Sequence, residues 1–148
     1  MEALQVSGLL RLRVRGNSML PSLWPGDLVT IQAQPFENIR TGDIVLYSRD
    51  SRFFIHRVQR KTGTLVTGGD CMLVPDPPVA ASQVLGSVVS VRRRGTELPV
   101  PQFTSFRRVQ AFLLLHCNLL QRAALSLHAK NVRRSASLAN ISPEYSIQ

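Results

Sequence analysis

From Leu9 to about Val91 the chain alternates short runs of branched and aromatic residues with clusters of turn formers. The runs Leu28-Val29-Thr30-Ile31, Ile44-Val45-Leu46-Tyr47, Phe53 to Val58, Leu65-Val66-Thr67 and Val84 to Val91 predict strands. Between them fall Pro25-Gly26-Asp27, Thr41-Gly42-Asp43, Lys61-Thr62-Gly63 and Gly68-Gly69-Asp70, each with a turn mechanism in its glycine or aspartate. The spacing predicts a mainly β chain folded as one compact antiparallel domain. Gly26-Asp27 and Gly42-Asp43 echo each other, but Gly-Asp is an ordinary way into a strand and implies no repeat. Arg92-Arg93-Arg94-Gly95 is expected to end the β region, and Pro99-Val100-Pro101 to form a linker.

Past that linker the period changes. Phe106, Val109, Phe112, Leu113, Leu120, Ala124 and Leu127 fall on one helical face, with Arg107, Asn118, Gln121 and Arg122 on another. An amphipathic basic helix is expected between 103 and about 134, followed by a polar tail over 135–148. Gln110, His116 and Asn118 interrupt it, so it does not read as a bilayer span, which needs about 20 mostly apolar residues. Its two expected uses are lying in a membrane surface and packing on the β domain. Arg107, Arg108, Arg122, Lys130, Arg133 and Arg134 around the apolar core favour the membrane surface. The organisation expected is therefore a domain over 1–98, a linker and helix over 99–134, and the tail.

Length and composition narrow this further. The 148 residues suffice for one domain with an appendage, and 44% hydrophobic content can bury a core. Lys and Arg number 18 against 9 Asp and Glu, a net charge of +9 that suits an anionic partner such as nucleic acid or an acidic membrane. Cys71 and Cys117 lie far apart with no CxxC spacing, so neither a zinc site nor a disulfide framework is indicated, and no metal or cofactor is expected. Met1 to Leu10 lacks a basic stretch followed by a long apolar run, so no secretory signal or anchor is expected there.

The candidate chemistry begins at Ser18, inside Gly16-Asn17-Ser18-Met19-Leu20-Pro21. A serine hydrolase must place a base within hydrogen-bond reach of its hydroxyl and supply donors for the oxyanion. Gly16 permits close approach of backbone to substrate, and Pro21 keeps regular structure from covering the hydroxyl. His56 is the histidine of the β region, alternating with Phe54 and Val58 on one side of a strand while Ile55 and Arg57 face the other. An imidazole held there suits a general base. A third group must fix its tautomer, and Asp70 and Asp76 are the acids in a loop able to fold back on it.

Taken in order, Ser18-Met19-x-Pro21, Gly26-Asp27, Gly42-Asp43-Ile44-Val45, His56-Arg57-Val58 and Thr67-Gly68-Gly69-Asp70 resemble the signal-peptidase and LexA-like peptidase superfamily, the S24/S26 type. The resemblance runs from about Gly16 to Val91 and includes the late strand Leu85-Gly86-Ser87-Val88-Val89. It implies a partly open antiparallel β barrel and a serine endopeptidase acting on a protein or peptide precursor, cutting after small residues. Housekeeping bacterial signal peptidases and LexA-like repressors use lysine where this chain has His56. The endoplasmic-reticulum, archaeal and sporulation-type signal peptidases use histidine, so the chain is similar to the Ser/His/Asp subtype. That subtype's acid lies six residues after the Gly-Asp aspartate, which implies Asp76 as the orienting acid and Asp70 as its support.

Three departures accompany the resemblance. Gly16 stands where signal peptidases usually carry a serine that helps line the oxyanion hole, which leaves more to the Ser18 N–H, and Gly16, Asn17, Met19 and Pro21 are the expected oxyanion and substrate-binding residues. The usual N-terminal anchor is not seen, and Cys71 and Met72 replace the asparagines that often follow Gly-Asp. The expected partners are a peptide substrate and a membrane surface met through 103–134, with no specific nucleic-acid binding. The alternatives are a cytoplasmic processing protease and an inactive β-barrel module that binds an anionic partner.

Overall fold

The computed structural model describes residues 8–102, 104, 109–113 and 122–131. Its seven strands are β1 (Leu9–Arg13), β2 (Leu28–Gln32), β3 (Ile44–Arg49), β4 (Arg52–Lys61), β5 (Leu65–Gly68), β6 (Val84–Arg93) and β7 (Thr96–Leu98). They form one open antiparallel sheet in the order β1-β2-β6-β3-β4-β5, with β7 added to β6. The mainly β expectation holds, and the five runs named from sequence are β2 to β6.

Two strands lie outside those runs. Along β1 and the two residues after it, Leu10, Leu12 and Val14 turn inward while Arg11, Arg13 and Arg15 stay exposed, the period-2 signature of a half-buried strand. The arginine cluster at 92–95 does not end the sheet. Arg94 and Gly95 take φ of 51° and 82°, a two-residue turn that returns the chain as β7. Arginine at a positive φ is an unusual choice there, so the hairpin had no Asn-Gly or Asp-Gly marker.

The core divides about β3. Ile44 and Leu46 join Val14, Met19, Leu23, Val29, Ile31, Val88 and Val91 on one face, and Val45 and Tyr47 join Ile39, Val58, Leu65 and Val79 on the other. A central strand buried on both faces accounts for its unbroken Ile-Val-Leu-Tyr run. Gly86 lets β6 cross close to β2, since a Cβ there would strike the backbone of Gln32 and Ala33. The Gly-Asp echo is local turn chemistry: Asp27 accepts from the Trp24 N–H and Asp43 from the Arg40 N–H, each three residues back.

Helix is described at 109–113 and 122–131. Val109, Phe112, Leu113 and Leu127 of the expected apolar face are exposed, and among the described residues Ala111 and His128 are buried with bonds to the β sheet region. His128 stacks on Trp24 with ring centroids 4.9 Å apart, and its Nε2 lies 3.1 Å from the Pro25 carbonyl. Among the described residues no helix is long and apolar enough to cross a membrane. Phe106, Arg107, Arg108, Asn118, Leu120, Gln121, Arg133, Arg134 and the 135–148 tail lie outside the described residues.

Candidate active site

Ser18 stands in a tight turn pinned from below. Met19, Leu20 and Leu23 are buried, and backbone bonds from Leu20 to Asn17 and from Ser22 and Leu23 to Met19 close the turn. Burying three apolar side chains leaves the intervening hydroxyl at the surface of the core, half exposed. A second loop holds the turn from the side, where the Cys71 N–H donates to the Ser18 carbonyl at 2.8 Å. Gly69 makes this approach possible, because a Cβ on it would lie 2.5 Å from Ser18 O and 2.9 Å from Ser18 Cβ.

His56 reaches Ser18 from β4. Its Nε2 is 3.1 Å from Ser18 Oγ, and its Nδ1 is 2.7 Å from Asp76 Oδ2. Thr67, fully buried on β5, donates its hydroxyl to the same Asp76 oxygen at 2.7 Å, and the Asp76 N–H bonds the Thr67 carbonyl at 2.8 Å. A carboxylate fixed by Thr67 and facing Nδ1 selects the tautomer with its proton on Nδ1, which leaves the Nε2 lone pair toward the serine. The imidazole is buried beside Phe54 and Tyr47, with centroids 6.1 and 6.3 Å away. Burial, aided by the Asp76 charge, pushes the Tyr47 phenol up to about 12 against a hydrogen bond with Thr67 that lowers it, so the ring stays a neutral wall.

Asp70, the second candidate for orienting His56, is bound elsewhere. Arg57 faces the opposite side of β4, and its Nε and Nη2 hold the two Asp70 oxygens at 2.8 Å each. The same guanidinium bonds the Gly42 and Pro101 carbonyls and the Ser22 hydroxyl, so it joins four segments around the Ser18 turn. Lys61 donates to the carbonyls of Phe36, Glu37 and Ile39 and so serves that turn. Burial, with the Asp70 charge beside it, raises the Cys71 thiol above its ordinary value and keeps it protonated.

Gly16, Ser18, Met19 and His56 line a cavity of about 330 Å³, together with Leu12 to Arg15 of β1 and its continuation and Phe53 to Ile55 of β4. Three strands separate β1 from β4 in the sheet order, so the sheet bends round to bring them together. Among the described strands, none pairs with the outer side of β1, and β5 pairs with β4 only from Arg57 onward. Asn17 is exposed and does not line the cavity. Pro21 is buried, its carbonyl taken by the Trp24 indole at 3.0 Å, which makes it part of the turn's support. Thr67, Tyr47 and Arg57 had no assigned role in the sequence, although Thr67 and Arg57 sit inside two of its quoted motifs.

The sequence model described as Peptidase S24-like matches residues 5–85, more than half of the chain. No curated protein matches the sequence. The matched span carries His56 and Thr67 on strands of one antiparallel sheet and Ser18 and Asp76 on the loops that meet them. This chain therefore belongs to the peptidase S24-like family, a family of the serine-peptidase type.

Proposed function

We propose that the chain is a serine endopeptidase of the signal peptidase type, cutting a precursor or signal-peptide-bearing protein after small residues. The observation that carries this is the continuous hydrogen-bonded row Asp76–His56–Ser18, at 2.7 and 3.1 Å, opening on a cavity between two strand edges that no described strand covers beside it. An extended substrate adds to those edges by main-chain hydrogen bonds, with alternate side chains entering the cavity.

Ser18 Oγ attacks the substrate carbonyl carbon while its proton passes to His56 Nε2, forming a C–O bond and an oxyanion. Asp76 stabilises the resulting imidazolium through Nδ1. Among the described residues nothing accepts a bond from the Ser18 N–H, which is the donor for the oxyanion. Collapse breaks the C–N bond, and His56 returns its proton to the leaving amine. Water then attacks the acyl ester, giving a proton to His56, and that proton restores the Ser18 hydroxyl as the acid departs.

The outward Val109, Phe112 and Leu113, with the net charge of +9, support a peripheral contact with an anionic membrane surface. Phe112→Glu with Leu113→Glu should abolish flotation with anionic vesicles, and no flotation of the unaltered protein would leave the cytoplasmic processing protease. For the chemistry, Ser18→Ala, His56→Ala and Asp76→Asn should each abolish cleavage of an Ala-x-Ala precursor peptide in detergent. An unaltered protein that neither cleaves such peptides nor reacts at Ser18 with a serine-directed probe is the inactive binding module instead.

A further inference from the structure

We propose that the groove selects an extended peptide segment in which acidic residues alternate with small or apolar ones, the acidic side chains being read by Arg11, Arg13 and Arg15. The proposal rests on the peptidase reading for where the segment is cut, but the selection is a property of binding.

The direction of the main chain along β1 carries it. Gly8 and Val14 spend their backbone groups on the β2 side, bonding Ala33, Asp27 and Gly26, and Leu10 and Leu12 pair there with Ile31 and Val29. By strand alternation Arg11, Arg13 and Arg15 aim their N–H and C=O groups at the other edge, which no described strand covers. A segment added to that edge places the residues opposite Arg11, Arg13 and Arg15 on the arginines' face. The residues between them turn to the face of Leu12 and Val14, where Met19, Leu23, Leu46 and Ile55 complete an apolar cavity.

Among the described residues no carboxylate pairs with this row. The three side chains are exposed and repeat every second residue, about 7 Å apart. Among the described residues none of them forms an ion pair, and Arg13 makes one bond, to the Gly26 carbonyl. Asp27, the first acid after the row in sequence, is taken by Arg93 through both oxygens. Carboxylates at alternate positions of a bound strand relieve the repulsion along the row, and lysines there aggravate it. Arg13 and Arg15 also line the cavity that holds Ser18, so the charged row and the point of cleavage share one substrate.

The test uses the full chain carrying Ser18→Ala and three labelled peptides with alanine and leucine at alternate positions and Glu, Gln or Lys between. Binding is followed by fluorescence anisotropy. The Glu peptide should bind about tenfold more tightly than the Gln peptide at low salt, with the Lys peptide weakest. The advantage should shrink in about 0.5 M salt. Arg11→Gln with Arg13→Gln should remove it, whereas Arg11→Lys with Arg13→Lys should keep most of it. Glu and Gln peptides bound within twofold of each other, a preference that survives the double Gln variant, or tighter binding of a single-stranded oligonucleotide would overturn the proposal. A clear Glu preference in a protein whose unaltered form cleaves none of the peptides would sustain this inference and defeat the peptidase reading.

Discussion

His56 and Arg57 are consecutive on β4, yet each is bound to a different acid: His56 Nδ1 to Asp76 at 2.7 Å and Arg57 to Asp70 at 2.8 Å. Strand alternation sends the two side chains to opposite faces, and the loop after β5 supplies an acid to each. Between those anchors the same loop sends the Cys71 N–H to the Ser18 carbonyl. One short segment thus positions the His56 imidazole and braces the Ser18 turn.

The two acids should therefore separate by assay. Asp70→Asn weakens a buried pair whose side chains are only 6% and 2% exposed, and should cost about 3–5 kcal/mol in equilibrium urea unfolding. Asp76→Asn should leave stability closer to that of the unaltered protein while lowering kcat on the order of 10⁴-fold, through the wrong imidazole tautomer.

Thr67 reaches His56 through Asp76. Thr67→Val keeps the buried volume and removes the hydroxyl that bonds Asp76 Oδ2. Peptide turnover should show kcat reduced about tenfold with KM unchanged, and Thr67→Ser should recover most of the loss.

Gly69 sets the distance between the two loops. Gly69→Ala puts a Cβ against Ser18 and should move Oγ away from His56, lowering kcat by about 10² while the protein stays folded. Gly63→Ala, where a Cβ meets open space, is the matched control and should leave turnover unchanged.

Tyr47 predicts an alkaline limit. Its folded value is raised from 10.0 to about 12, so the unfolded chain releases the proton first. Its contribution to stability is fully present below pH 10 and is lost as pH climbs from 10 toward 12. Thermal unfolding across that range should show a falling Tm, with a shallower fall in Tyr47→Phe.

How much of this was legible differs element by element. The strands β2 to β6 were readable because branched and aromatic runs ended in Gly-Asp and Gly-Gly turns. β7 was not, because its turn is Arg94-Gly95 and its strand carries no apolar run. The helical face through Val109, Phe112 and Leu113 was visible as a pattern, but its orientation was not. A hydrophobic face predicts burial against something without saying what, and here Ala111 and His128 make the contacts instead.

At the site, residue type and order alone determined the antiparallel β class and drew attention to Ser18, His56 and the two acids of one loop, because turn chemistry and strand period are local. Which acid meets His56 was decided only by the tertiary structure. That choice depends on which face of β4 each side chain takes and on where the loop after β5 is pinned. The parts played by Thr67, Tyr47 and the open edges of β1 and β4 arise in the same way, from a sheet that bends residues distant in sequence to within hydrogen-bond reach.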